Sequence, residues 1–180
     1  MRAFLANISH ETTGGDIAEN TKSYDLYFKE EVGCSSGCPQ YTAVSADYPV
    51  AAGKFYHGRG PSQLSWNYNY GLSSFLIYGD KNTLLIAPEI VLASGKNAFM
   101  TAVIFWNVPE GVKPSAPNVI NIVRGFAKTI NIINGSVECG AANIAKDPQV
   151  SDRIVFYKKF AADFGINITD SDVELSCRDF

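Results

Sequence analysis

The chain carries little charge for its size. Asp, Glu, Lys and Arg together make up 18% of its 180 residues, below the roughly 25% of an average globular protein. The formal net charge is −3. Binding to nucleic acid requires a basic stripe, which this balance of charges does not supply. A neutral ligand rich in hydroxyl or amide groups suits the composition better.

Histidine is scarce and long apolar runs are absent. The only two histidines, His10 and His57, do not lie at ligand spacing from the cysteines, so we expect neither a zinc site nor any other metal or cofactor. No apolar run approaches the roughly 18 residues of a membrane-spanning helix, so we expect no membrane partner. The first residues already follow a helical pattern, and no signal peptide is recognisable in them.

Alternating strand patterns are also scarce, and helical spacing dominates. Phe4, Leu5 and Ile8 form a stripe that predicts a helix ending near His10. Residues 33–62 have the composition of a loop, and 62–71 predict a short strand or helix. Further helices are predicted over 20–32, 83–94, 97–106, 124–133 and 147–164, with Ser115 as the N-cap of another. The sequence therefore predicts one mainly α domain over residues 1–180.

Two glutamates stand at the ends of predicted helices. Glu11 lies where an apolar helical pattern gives way to Gly14 and Gly15, and Glu31 closes the helix predicted over 20–32. On a helix, Glu31 shares a face with Tyr27 and Phe28, whereas Glu30 falls on the polar side and is interpreted as a bystander. Hydrolysis of a glycosidic bond needs one carboxylic acid to protonate the leaving oxygen and one carboxylate to activate water. The pair Glu11 and Glu31 could serve these two roles.

Four cysteines leave the pairing open. Cys34 and Cys38 are close in sequence, while Cys139 and Cys177 are far apart. Three connectivities are possible, and four reduced thiols are the alternative. We expect disulfides and hence an oxidising compartment.

The order of several motifs resembles glycoside hydrolase family 19 chitinases over almost the entire chain. The matching pieces are Phe4-Leu5-Ala6, His10 to Gly15, Phe28 to Glu31, Gly53-Lys54, Tyr56 to Tyr70, Lys113-Pro114-Ser115, Asn131 to Gly135, Glu138-Cys139-Gly140, and Arg153-Ile154 with Tyr157. The resemblance implies an endochitinase with a two-lobed, lysozyme-like helical fold around a central cleft. Its substrate would be chitin or chito-oligosaccharides, cleaved with inversion by a secreted enzyme that we expect to be a monomer.

The same resemblance implies a role for each candidate residue. Glu11 would be the general acid and Glu31 the general base. The positions that would hold sugar or the attacking water are Thr13, Gln63, Ser65, Tyr68, Asn69 and Asn134. Glu138 and Arg153 resemble charged partners that support the acid.

Three departures from the family pattern add expectations. Cys139 and Cys177 match a family disulfide, whereas Val50 stands where plant members carry a cysteine, so the near bridge is expected between Cys34 and Cys38. Met100 stands where a lysine is common, which would weaken one sugar-binding position. The family domain usually begins several dozen residues before the helix that carries the acid, so we expect N-terminal truncation. Two alternatives stay open: a peptidoglycan-cleaving lysin on the same scaffold, and a non-catalytic chitin-binding protein.

Overall fold

Helices supply most of the regular structure in the computed structural model, which describes residues 1–13, 26–109, 113–145 and 149–180. They are α1 (Arg2–Thr13), α2 (Asn67–Tyr78), α3 (Thr83–Ile86), a 3-10 helix (Pro88–Leu92), α4 (Gly95–Asn107), α5 (Ala116–Val119), α6 (Gly125–Glu138), α7 (Ala141–Ile144), α8 (Gln149–Asp163) and α9 (Asp172–Leu175). Extended pairing in these ranges consists of isolated bridges between Glu30 and Arg59 and between Arg59 and Leu64. The predicted mainly α fold class is confirmed. None of these helices combines the length and the apolarity that crossing a membrane requires.

The chain divides into two compact units. Unit 1 includes Met1–His10 and Trp106–Phe180. Its core is formed by small residues of α1 and apolar residues of α6 and α8, among them Ala6, Ile130 and Phe156. Ala3 and Ala6 lie on one face of α1, one turn apart, and are 2% and 0% exposed. Small side chains on that face let α1 approach its neighbours closely.

Unit 2 includes Asp25–Phe105 and the end of α1 from Glu11. Its core consists of Tyr56, Leu64, Tyr70, Leu84, Leu85 and Val91. The hydroxyl of Tyr56 is buried and donates a hydrogen bond to the carbonyl of Leu85 at 2.9 Å. Helix α2 ends at Tyr78, and Gly79 caps it with a φ of 71°, a left-handed conformation that suits glycine. These contacts fix the loop 55–66, which carries several candidate site residues.

Most of the predicted helices exist, and one is wrong. Helix α1 extends to Thr13, slightly beyond the predicted end near His10. Helix α8 ends at Asp163, one residue before the predicted end, and Gly165 follows with φ 69°, a conformation that favours glycine. The described part of the predicted helix over 20–32 is not helical. Residues 29–31 instead pair in antiparallel fashion with residues 58–60, because tertiary contacts outweigh local spacing there.

Several predictions fall partly outside the described residues. These are the first part of the helix predicted over 20–32, the glycines Gly14 and Gly15, and the first residues of the helix predicted over 147–164. Ser115 does precede α5 with extended backbone, but its side chain makes no capping hydrogen bond.

Both disulfides expected from the family resemblance are present. Cys34 is bonded to Cys38 in unit 2, and Cys139 is bonded to Cys177 in unit 1. The second bridge attaches the C-terminal segment to the end of α6. The prediction of disulfides, and of this connectivity, is confirmed.

Candidate active site

An extended segment carries Glu31. The amide of Glu31 donates to the carbonyl of Gly58 at 2.9 Å, and the amide of Gly60 donates to the carbonyl of Lys29 at 2.8 Å. The segment 29–31 is therefore paired in antiparallel fashion with 58–60. Successive side chains of extended backbone point to opposite sides, so Glu30 and Glu31 face different surroundings.

Two neutral donors hold the Glu31 carboxylate. The backbone amide of Gly58 donates to Oε2 at 3.0 Å, and the hydroxyl of Tyr41 donates to Oε1 at 2.7 Å. Burial, the hydrogen bond to Glu31 and the negative charge of Glu31 raise the pKa of Tyr41 to about 12. Tyr41 therefore stays a protonated donor throughout the neutral range. Sequence reasoning missed Tyr41, because it lies in a loop with no periodic pattern.

The Glu30 carboxylate contacts two buried side chains, the guanidinium of Arg59 and the imidazole of His57. Its Oε1 accepts from Arg59 Nε at 3.0 Å and lies 2.7 Å from His57 Nε2. Partial burial raises the pKa of Glu30, but the hydrogen bond from His57 and the charge of Arg59 outweigh burial, so its pKa lies below the ordinary value. The predicted position of Glu30 on the polar side of a helix is wrong, because the described residues of that segment are not helical.

The loop before α2 ties three of the predicted sugar- or water-binding residues together. Gln63 Nε2 donates to the carbonyl of Gly60 at 3.1 Å, and Ser65 Oγ donates to the carbonyl of Gln63 at 2.9 Å. Asn69 Nδ2 donates to the carbonyl of Ser65 at 3.1 Å. Each side chain is thus oriented by loop backbone, while the lone pairs of the Ser65 hydroxyl remain able to accept a hydrogen bond from water.

Backbone strain is concentrated in the same loop. Gln63 has φ 47° and Trp66 has φ 75°, which are unusual for residues other than glycine. Such conformations cost about 1–3 kcal/mol each and cluster at functional sites. The Trp66 ring stacks on Tyr68 at 6.1 Å and meets the edge of Tyr41 at 5.7 Å. The rings of Trp66, Tyr41 and the predicted sugar-binding residue Tyr68 therefore form one aromatic group.

Glu11 and Thr13 lie in the last turn of α1, within unit 2. Glu11 is partly buried, and Thr13 is buried. The carbonyl of Thr12 accepts from the amide of Phe28 at 2.8 Å. This hydrogen bond joins the end of the helix that carries Glu11 to the segment that carries Glu31.

Asn134, Glu138 and Arg153 form a connected network in unit 1. Arg153 donates to both oxygens of Glu138, at 2.7 Å each, and both side chains are fully buried. Asn134 Nδ2 donates to Glu138 Oε1 at 2.8 Å from a kink in α6, where its φ is −141°. Arg153 Nη1 also donates to Oδ1 of Asn7, on α1, at 2.9 Å. Glu138 and Arg153 are therefore paired with each other, and through Asn7 the pair also holds α1.

Comparison with known proteins gives one consistent result. The family model described as "Chitinase class I" matches residues 1–177. Chitinase 12 of Oryza sativa subsp. japonica is 40% identical over 98% of this chain and 56% of its own length, and Endochitinase CH25 of Brassica napus is 40% identical over 93% and 54%. The structure is similar to chitinase C from Streptomyces griseus HUT6037, with TM-score 0.76 and 34% identity over 98% of this chain and 75% of that one. The chain spans about half the length of the curated relatives it matches.

Proposed function

This chain belongs to the chitinase class I family, glycoside hydrolase family 19, and we propose that it hydrolyses internal β-1,4 bonds of chitin or chito-oligosaccharides. The main observation behind the proposal is that the segments carrying Glu11 and Glu31 are hydrogen-bonded to each other in unit 2. The Thr12–Phe28 hydrogen bond links the helix of Glu11 to the segment of Glu31. The similarity to a chitinase and an endochitinase supports the choice of substrate.

The reaction is a single displacement. Glu11 gives its proton to the glycosidic oxygen as the bond from that oxygen to the anomeric carbon breaks. Glu31 takes a proton from a water molecule, which attacks the anomeric carbon from the opposite face. The configuration is inverted, so the first product is the α-anomer. This geometry needs about 6.5–9.5 Å between the two carboxyl groups, to leave room for the water.

The remaining candidate residues are assigned to binding the sugar, orienting the attacking water and holding α1. We assign the attacking water to Thr13 and Ser65, and sugar hydroxyl and N-acetyl groups to Gln63, Tyr68 and Asn69. Amides suit that task because each has both a donor and an acceptor. In unit 1 we assign Asn134 to sugar binding, and Glu138 with Arg153 to holding α1 through Asn7.

The active form is proposed to be a secreted monomer of one catalytic domain. Two disulfides are consistent with an oxidising compartment. The proposal assigns no cofactor, because proton transfers by the two carboxyl groups balance the whole reaction.

Hydrolysis of chitohexaose by the purified chain tests the assignment. Glu11→Gln and Glu31→Gln should each lower kcat by at least roughly 100-fold, since each removes a proton transfer. Glu89→Gln is the matched control, because Glu89 is an exposed acid of the 3-10 helix in unit 2. Proton NMR of the earliest product should show the α-anomer. Normal turnover by Glu11→Gln, or a β-anomer as first product, contradicts the mechanism.

Two further substrates separate the alternatives. Faster turnover of bacterial cell walls than of glycol chitin would favour a peptidoglycan lysin on this scaffold. Tight binding to chitin with no turnover of any substrate would favour a chitin-binding protein without catalysis.

A further inference from the structure

Glu30 occupies a more specific environment than a surface acid. Its side chain is 32% exposed, but those of its partners His57 and Arg59 are only 2% and 8% exposed. A carboxylate that neutralises a buried guanidinium is costly to remove, because the cation is left without compensation in a poorly solvated site.

The imidazole ring of His57 makes its described polar contact with Glu30. Its Nε2 lies 2.7 Å from Glu30 Oε1, while Nδ1 is buried and has no hydrogen-bond partner in the part of the chain that the structure describes. Arg59 is fixed from two more directions, since Nη1 donates to the carbonyl of Phe55 and to the hydroxyl of Tyr70, each at 3.0 Å. The Arg59 guanidinium is therefore held in place and can fix the position of the Glu30 carboxylate.

The alternation of extended backbone links this cluster to Glu31. Glu30 faces His57 and Arg59, and Glu31 faces the amide of Gly58, which lies between those two residues. Rotation of the segment about its axis would move both carboxylates together. A side chain anchored on one side therefore fixes the direction of its neighbour on the other.

We propose that Glu30 is a positioning residue for catalysis, which holds the Glu31 carboxylate in its working direction by binding His57 and Arg59 on the opposite side of the segment. The inference rests on the proposed role of Glu31 as general base. Glu30 itself touches neither substrate nor the attacking water. It acts through the backbone that it shares with Glu31.

Kinetics of Glu30→Gln provide the first test. Loss of the charge should loosen the segment and lower kcat on chitohexaose by roughly 10- to 100-fold, because a small misplacement of a catalytic group has an effect of that size. KM should stay near that of the unchanged protein, since no substrate contact is lost. Glu89→Gln, with the same change of charge, is the control. A kcat for Glu30→Gln equal to that of the control overturns the proposal.

Conservative replacement of His57 separates positioning from general packing. His57→Gln keeps an N–H donor on a side chain of similar reach and should retain most of the activity. His57→Leu removes the donor and should reproduce the low kcat of Glu30→Gln. Equal activity of the two His57 variants contradicts the proposed hydrogen-bonded anchor.

Azide rescue distinguishes a positioning residue from the base itself. In Glu31→Ala, azide can bond to the anomeric carbon while the glycosidic bond breaks and Glu11 protonates the leaving oxygen, giving an α-glycosyl azide without any base. In Glu30→Gln the Glu31 carboxylate is still present and repels the anion, so azide should not restore turnover. Rescue of Glu30→Gln but not of Glu31→Ala would reverse the two roles and sink the proposal.

Amide hydrogen exchange needs no catalytic activity. The amides of Glu31, Gly58 and Gly60 are all bonded across the paired segments, and they should exchange faster in Glu30→Gln than in Glu89→Gln. If the unchanged chain does not hydrolyse chitohexaose, the proposed function fails. The amide exchange rates then test separately whether Glu30 anchors the segment. Faster exchange then supports the role of Glu30 in fixing the segment, and unchanged exchange overturns it.

Discussion

At the scale of single residues, two adjacent glutamates acquire different chemistry from their partners. Glu30 lies against the Arg59 guanidinium, and a carboxylate stabilised by a cation is a poor proton acceptor. The hydrogen-bond donors to Glu31 are the neutral phenol of Tyr41 and the amide of Gly58. The choice between the two acids as general base therefore follows from the groups that contact each of them.

We predict that the titration of Tyr41 depends on Glu31. Burial and the hydrogen bond and charge of Glu31 together raise the Tyr41 pKa to about 12. Glu31→Gln removes the charge, so the pKa of Tyr41 should fall toward its ordinary value of about 10. NMR of protein labelled with 13C at tyrosine Cζ measures this directly, with Tyr41→Phe to assign the signal. A Tyr41 pKa that is the same with and without Glu31 contradicts the contact.

The raised pKa of Tyr41 also determines how this residue affects the pH dependence of stability. A tyrosine with a raised pKa binds its proton more tightly in the folded state than in the unfolded state. Its contribution is complete below about pH 10 and is lost as the pH rises toward the folded value of about 12. Tyr41 thus has no effect on the pH dependence of stability near neutrality.

At the scale of elements, apolar spacing predicted the helices that bury one face and failed where tertiary pairing decides the backbone. Of the stripe predicted for α1, Ile8 is buried and Phe4 and Leu5 are partly buried. Tyr27 and Phe28 supported the helix predicted over 20–32, but Tyr27 is 72% exposed and its described segment is not helical. The spacing of a few aromatic residues cannot reveal that residues 58–60, far along the chain, supply its hydrogen bonds.

We predict that the Glu138–Arg153 pair dominates the stability of the α6–α8 contact. Arg153→Met leaves the fully buried Glu138 without its cation, which should lower the free energy of unfolding by about 3–5 kcal/mol. Guanidinium denaturation measures the loss. The double variant Glu138→Gln with Arg153→Met should regain part of it, because no isolated charge is then buried.

An exposed ion pair on the same helix gives the control. Lys159 and Asp163 are 3.0 Å apart, with side chains 38% and 53% exposed. Lys159→Met should change stability by no more than roughly 0.5 kcal/mol. A loss for Arg153→Met as small as that of Lys159→Met contradicts the assigned role of the buried pair.

At the scale of the whole molecule, the family resemblance supplied what composition left open. Spacing allowed three pairings of four cysteines, and the resemblance selected the pair of bridges that the structure contains. The anchoring of Glu30 could not be foreseen in this way. It depends on His57 and Arg59 facing Glu30 across two extended segments, which only the folded chain shows.

The last prediction concerns whether the two units unfold together. The sequence predicts one domain over 1–180, and α1 runs from unit 1 into unit 2. Unfolding of one unit would therefore fray a helix that the other needs, so we expect a single transition. Trp106 lies in unit 1 and Trp66 in unit 2, so Trp66→Phe and Trp106→Phe leave one fluorescent probe for each unit.

Removal of each disulfide makes this test sharper. On a chain-entropy estimate, Cys139→Ala with Cys177→Ala should lose about 4 kcal/mol, and Cys34→Ala with Cys38→Ala about 2 kcal/mol, because the first bridge closes the longer loop. With a single transition, both tryptophan probes should shift to the same lower midpoint in each variant. A midpoint that falls only for the tryptophan of the unit that lost its disulfide would instead show two independently unfolding domains.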